Sequence, residues 1–173
     1  MIGTNRTKLK EEKMARKKDV PKEMLLDGAQ MSIAAFIAGT MGFLKQQNIP
    51  IEDWVSYIGE QFEGSLGALE GDETGKVMEH LLALQVLPLG VDMLSSKSTR
   101  EKAEARLTSL PSRTVLEKFG TTPRELLRGF GVTKKEFESI LSMYEPAARA
   151  IGLKFKYQSK DDQEILTLER VRR

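Results

Sequence analysis

The spacing of apolar positions changes along the chain, from no pattern at the start, through helical spacing, to alternation at the end. Residues 1–21 are polar and lack periodicity, which predicts a basic, disordered tail that ends at Pro21. Residues 22–173 carry enough apolar positions to bury one core. The pattern therefore predicts a tail over 1–21 and a single helical domain over 22–173.

Three apolar segments predict the first helices of this domain. The segment 21–47 is apolar nearly all round at its centre, which is typical of a helix in the middle of a core. Its apolar stretch is shorter than the roughly 20 residues that span a bilayer, so we expect no membrane contact. Amphipathic spacing predicts a second helix over 50–65. A third helix over 72–94 should be kinked or split by Pro88 and Gly90.

Small residues four apart mark two faces of the first predicted helix. Ala35 lies one turn before Gly39, and Ala38 lies one turn before Gly42. Such residues let a neighbouring backbone approach closely, either in the core or between subunits. The first and third helices also offer more apolar surface than one thin layer can cover, so we expect a homodimer.

The second half of the chain predicts shorter elements. Residues 95–99 read as a polar link, and the charged segment 100–110 (REKAEARLTSL) predicts a short helix. Residues 122–151 predict a helix-turn-helix-like segment. Alternating apolar and charged positions over 152–171 predict a β-hairpin. The predicted fold class is α+β, mostly α: a multi-helix core with a C-terminal two-stranded β-hairpin.

The helix-turn-helix-like segment supports one functional alternative, a winged-helix-like DNA-binding protein. Thr122 and Glu125 are spaced as a capping box, and Thr133 should cap the second helix. The candidate DNA contacts are the basic residues of both helices: Arg124, Arg128, Lys134 and Lys135. On the second helix, Glu136 and Glu138 would face the phosphates, so we expect DNA binding less than ligand binding.

The amino-acid composition limits the kinds of reactive or metal-binding site that the chain can contain. The chain has no cysteine, which excludes disulfides, thiolate metal sites and cysteine nucleophiles and fits a cytoplasmic protein. The lone histidine, His80, lies mid-helix, and the positions three and four before it are Val77 and Lys76, neither of which binds metals. We therefore expect no metal and no cofactor.

Charge is unevenly distributed, with nine acidic residues and one lysine between residues 50 and 96. Glu60 and Glu63 share a helix face and could form the acid–base pair of an enzyme. A solvated acidic face explains the same pattern without catalysis. The sequence therefore favours a non-enzymatic function, and an enzyme with a carboxylate-based site is a further alternative.

Aromatic and methionine side chains of the first three helices predict a different kind of site, an apolar ligand pocket between helices. The candidate ligand-binding residues are Phe36, Met41, Phe43, Trp54, Tyr57, Phe62, Met78 and Leu82. The end of the chain, a long helix closing in Ala-Ile-Gly and followed by two amphipathic strands, is similar to the end of vinyl-reductase-like and haem–nitric-oxide-binding sensor domains. That resemblance covers about thirty residues, carries over no functional residue and implies small-ligand sensing. The function we predict is a non-catalytic regulatory or binding protein that holds a small apolar ligand or a protein partner.

Overall fold

The computed structural model describes residues 20–160 and 162–171. Most of the predicted tail therefore lies outside the described residues. The helices are α1 (Lys22–Gln46), α2 (Ile51–Gln61), α3 (Thr74–Leu81), α4 (Arg113–Lys118), α5 (Pro123–Gly129), α6 (Lys134–Glu138) and α7 (Tyr144–Ala150). Shorter helical turns lie at Glu63–Leu69, Leu82–Val86, Leu87–Leu89 and Ser139–Met143. The strands are β1 (Met93–Ser98), β2 (Lys102–Thr108), β3 (Leu153–Lys160) and β4 (Gln163–Arg170).

The four strands form one antiparallel sheet in the order β1-β2-β4-β3, which corrects the predicted fold class. The hairpin of β3 and β4 is confirmed, but it is half of a larger sheet, and the segment expected to be a short charged helix is strand β2. Ala103, Ala105 and Leu107 alternate with exposed or half-buried polar residues along β2. This period of two, together with pairing along the whole of β4, overrides the helical propensity of Ala, Glu and Lys.

One face of the sheet packs on the helices and forms the core. Leu166 and Leu168 of the central strand β4 are fully buried. The ring of Tyr144, at the start of α7, meets the ring of Phe155 on β3 edge to face, with centroids 5.9 Å apart. The last helix is thereby fixed across the C-terminal hairpin, and it brings the preceding segment α6 against the same sheet.

Helix α1 follows its predicted bounds but not its predicted environment. One face is buried, through residues such as Ala38 and Met41, whereas Phe36 and Phe43 point to solvent. In the described part of the chain, α1 is the one helix long and apolar enough to cross a membrane by length and composition, and 22% of its most apolar window is buried. The all-round apolar pattern therefore belongs to a helix that covers the core with one face.

The small residues of α1 lie against a neighbouring turn of the same chain. A Cβ atom on Gly42 would clash with the carbonyl oxygen of Phe130, and one on Gly39 would come within 3.4 Å of the Phe130 ring. Lys45 Nζ donates a hydrogen bond of 2.7 Å to the carbonyl oxygen of Gly131. The close approach expected from these glycines is thus made to the turn between α5 and α6.

Candidate functional site

A groove of about 750 Å³ lies between α4, α5, the start of α6 and the turn between β3 and β4. Its lining residues are Ser109, Arg113, Glu117, Thr122, Pro123, Arg124, Leu127, Arg128, Gly131, Val132, Thr133, Lys134 and Asp162. Four cationic side chains and two carboxylates are among them. The groove therefore combines an apolar floor with a predominantly basic rim.

Two capping boxes fix the helices that form the groove. At α5, Thr122 Oγ1 accepts a hydrogen bond from the Glu125 amide, and the Glu125 carboxylate accepts one from the Thr122 amide at 3.0 Å. Thr133 and Glu136 repeat this arrangement at α6, where the Thr133 amide lies 2.7 Å from Glu136 Oε2. Both predicted caps are confirmed, and each satisfies backbone amide groups that would otherwise lack a partner at the start of its helix.

Glu136 has a structural partner on α1 as well. Its carboxylate lies 2.9 Å from Lys45 Nζ. Partial burial opposes ionisation, but the Thr133 amide and hydroxyl and the Lys45 ammonium together lower the pKa of Glu136. This carboxylate therefore holds α6 on α1 rather than facing an anion at the surface.

Three arginines form the basic part of the rim. Leu127 and Val132 are buried and provide the apolar floor beneath them. Within residues 20–160 and 162–171, no carboxylate lies within ion-pair distance of Arg113, Arg124 or Arg128. The charge of Arg113 nevertheless helps to lower the pKa of Asp162 across the groove, so Arg124 and Arg128 are the cations with no carboxylate acting on them among the described ion pairs.

Lys134, the fourth cation, is already paired. Its Nζ lies 3.1 Å from Asp162 Oδ1 and 3.5 Å from Glu138 Oε1. The hydrogen bond from Lys134 lowers the pKa of Asp162. Burial acts in the opposite direction on Lys134, but its two carboxylate partners raise the pKa of its ammonium overall. Lys134 therefore connects the rim of the groove to the buried carboxylate of Glu138.

Behind Lys134 lies a buried pair of carboxyl groups. Glu164 on β4 is fully buried, Glu138 at the end of α6 is 7% exposed, and Ser159 on β3 lies between them. Ser159 Oγ is 3.1 Å from Glu138 Oε1 and 3.3 Å from Glu164 Oε1. A hydroxyl has one hydrogen to donate, so it cannot serve both carboxylates at once.

The pKa of Glu164 is raised to about 7, first by burial and then by the negative charge of Glu138. The second oxygen of Glu164, Oε2, has no hydrogen-bond partner among the described residues. A protonated Glu164 can donate to Ser159, which then donates to Glu138, which pairs with Lys134. The arrangement thus favours one proton held between the two buried carboxyl groups.

The predicted ligand-binding residues are divided between the core and the surface. Met41, Met78 and Leu82 are buried in the core, and Trp54 is half-buried against it. Four aromatic side chains are exposed: Phe36, Phe43, Tyr57 and Phe62. The eight residues do not line the groove. Their proposed role in ligand binding stays a prediction.

The candidate nucleic-acid residues are brought together more closely. Arg124, Arg128 and Lys134 line the groove, whereas Lys135 is exposed outside it. Glu138, expected to face phosphates, is buried instead. A Cβ atom on Gly59 of α2 would come within 2.9 Å of the carbonyl oxygen of Met143, so α2 covers the continuation of the second helix.

The remaining candidates form no cluster. Glu60 on α2 and Glu63 in the following turn are exposed and belong to different elements. His80 is half-buried on α3. Across the described residues, no three His, Asp or Glu side chains are grouped so as to hold a metal ion.

The carboxyl pair was not predicted from the sequence, although the sequence carries a signal for one of its two members, Glu164. Glu164 alternates with Leu166 and Leu168, which places its side chain on the apolar face of β4. Glu138 and Ser159 become its neighbours only through the packing of α6 on the sheet, which no local pattern encodes. Comparison with known proteins adds no assignment: no known protein family matches the chain, and no curated protein is similar to it in sequence.

Proposed function

We infer that this chain is a non-catalytic binding protein whose groove between α4, α5 and α6 takes a small organic anion with an apolar body. The proposal rests on three arginines, Arg113, Arg124 and Arg128, around the floor of Leu127 and Val132. None of the three has a carboxylate partner in the described part of the chain. The proposal keeps a ligand-binding function but places an anionic ligand in this groove, whereas the apolar ligand expected among the first three helices stays a separate prediction.

The chemistry of the groove favours a carboxylate, sulfonate or phosphate attached to an aromatic or aliphatic body. Guanidinium groups bind such anions through two parallel hydrogen bonds. A volume of about 750 Å³ lies within the roughly 300–1,000 Å³ of typical small-molecule sites. The apolar floor would contribute affinity through burial, and the arginines would orient the anionic end.

A fluorescent probe of this chemical class tests the proposal. We expect 8-anilinonaphthalene-1-sulfonate, an aromatic sulfonate, to bind saturably with one site per chain and to raise the melting temperature. The double variant Arg124→Gln/Arg128→Gln should weaken binding at least tenfold, because two ligating cations are lost. Lys135→Gln is the matched control: it removes a neighbouring exposed charge outside the groove and should leave the affinity unchanged.

Equal affinity of the double variant and the wild-type protein would contradict the groove as the site. The melting temperature of each unliganded variant should stay within a few degrees of the wild type, since both arginines are exposed. This measurement separates a lost ligand contact from a lost fold.

DNA binding is the second candidate, because three of its four predicted residues lie together in the groove. The coverage of the second helix by α2 argues against insertion of that helix into a major groove. Binding to duplex DNA would fall steeply with salt and would weaken in Lys135→Gln as well as in the arginine variants. We also propose that the protein is cytoplasmic, as expected from its lack of cysteine.

A further inference from the structure

The outward face of α1 carries a regular apolar stripe. Six positions along it are spaced alternately by three and four residues: Leu26, Ala29, Ile33, Phe36, Thr40 and Phe43. We call these six residues the α1 seam. The spacing of three and four is the pattern by which one helix packs lengthwise along another.

The seam is exposed even though it is apolar. Leu26 is 58% exposed, Phe36 is 73% exposed and Phe43 is 58% exposed, while Ile33 is 36% exposed. No charged residue lies on α1 between Asp27 and Lys45, and both of these point to partners in the same chain, Lys118 and Glu136. The centre of the outward face therefore has no charge that favours contact with water.

The exposed apolar area is large for a single chain. Large apolar side chains offer roughly 200 Å² each, so the seam with the adjoining Leu25 leaves on the order of 500 Å² exposed. Single-chain proteins usually keep such patches to a few hundred Å². A standard interface buries about 800 Å² on each partner, which the seam and the polar rim around it can supply.

The order of side-chain sizes along the seam reads the same in both directions. From either end it runs large, small, large and then large, small, large, with its centre between Ile33 and Phe36. In an antiparallel pair of identical helices, Leu26 would meet Phe43, Ala29 would meet Thr40, and Ile33 would meet Phe36. In this register each contact of the seam occurs twice, once on each side of the centre, as a twofold axis requires.

We propose that the α1 seam is the interface of a symmetric homodimer in which two α1 helices pack antiparallel along their outward faces. A twofold axis then passes between Ile33 and Phe36, as an interface of identical surfaces requires. This inference does not depend on the groove, none of whose lining residues belongs to α1. It replaces the face of Gly39 and Gly42 as the expected interface, because that face contacts Phe130.

A second copy fits the seam better than a membrane surface does. Helices that lie in the membrane interface carry basic residues along the flanks of a broad apolar face. The flanks of this seam instead carry small polar or apolar residues, such as Ser32 and Gly39, over most of its length. The spacing of three and four residues is typical of a helix that packs lengthwise along another helix.

The mass of the protein in solution is the first test. Sedimentation of the full chain at micromolar concentration should give twice the mass of 19.4 kDa. The substitutions Ile33→Lys and Phe36→Lys together should yield a monomer with unchanged circular dichroism, since both side chains are exposed. Tyr57→Lys is the matched control, because Tyr57 is a similarly exposed aromatic residue away from the seam; it should remain a dimer.

Engineered cysteines test the direction of packing, and the chain has no native cysteine to interfere. An equimolar mixture of Ala29→Cys and Thr40→Cys chains should form a disulfide between unlike chains on mild oxidation. Ala29→Cys alone should form little, because in an antiparallel pair the two copies of position 29 are far apart. Efficient cross-linking of Ala29→Cys alone would overturn the antiparallel arrangement.

Two further outcomes would overturn the proposal as a whole. One is a wild-type protein that sediments as a monomer at every concentration up to the highest soluble one. The other is a monomer that co-floats with vesicles containing anionic lipid and loses this binding in the lysine double variant, which would assign the seam to a membrane surface.

Discussion

At the scale of single residues, the buried carboxyl group of Glu164 is the most unusual feature of the chain. Carboxylates are rarely buried without a cation in direct contact, and here the nearest partners are the Ser159 hydroxyl, the backbone of Leu110 and a second carboxyl group. The cost is reduced when one of the two acids keeps its proton. The molecule thereby holds a group that changes charge near neutral pH without any histidine at the site.

Glu164 should make the stability of the protein fall as the pH rises from about 4.5 to about 7. Its pKa is about 7 in the folded state against an ordinary 4.5, so between these values the folded chain holds a proton that the unfolded chain has lost. Its stabilising contribution is complete below pH 4.5 and is lost by about pH 7, a change of up to about 3 kcal/mol.

Chemical denaturation of wild type and Glu164→Gln between about pH 4.5 and 8 measures this effect. The wild-type free energy of unfolding should decrease over that range relative to the variant, which cannot titrate at this position. Glu79→Gln, a change at an exposed carboxylate on α3, should leave the pH dependence unaltered. Parallel curves for wild type and Glu164→Gln would show that the Glu164 carboxyl group titrates normally.

At the scale of elements, the sequence predicted those helices and strands whose formation depends on residues close together in the chain. The sequence predicted three such features: the capping boxes of Thr122 and Thr133, the bounds of α1, and the alternation of β3 and β4. Each of them involves residues close in sequence. Strand β2 was not, because its composition favours a helix and its strand form depends on β4, about 60 residues later. The environment of α1 was misjudged for a related reason: periodicity shows which residues are apolar but not which of them find a partner.

The contact between α1 and the turn after α5 gives a prediction at this scale. Gly42→Ala should destabilise the fold by about 1–3 kcal/mol, because the added methyl group meets the backbone of Phe130, which cannot move without shifting α5. Gly28→Ala, in the same helix, is the matched control. Its Cβ would lie 4.0 Å from the nearest atom, so it should stabilise α1 by about 0.5–1 kcal/mol.

Thermal and urea unfolding of the two glycine variants provides the measurement. The difference between them matters more than either value, because both substitutions raise helix propensity equally. If Gly42→Ala were as stable as Gly28→Ala, the turn at Phe130 would not be packed closely against α1.

At the scale of the whole molecule, the groove and the carboxyl pair are products of long-range packing. The groove takes Arg113 from α4, Arg124 and Arg128 from α5 and Asp162 from the last hairpin. The sequence predicted α5 and the last hairpin, but not that they meet, because their meeting depends on how α5 and α6 dock on α1. A sequence indicates which side chains are charged, whereas a surface that binds an anion is defined by which charges lack a partner.

The strand order β1-β2-β4-β3 has a consequence for the ribosome-bound chain. Strand β2 is made before its inner neighbour β4, so the backbone edge that pairs with β4 stays open until residues 163–170 emerge, although α3, made earlier, packs against β2. At roughly 5–20 residues per second, that delay lasts on the order of several seconds. A nascent chain arrested after residue 160 should therefore remain sensitive to protease within 102–108, whereas release of the full sequence should protect this segment. Protection of the arrested chain would mean that the helices alone can shelter β2 before its partner strand arrives.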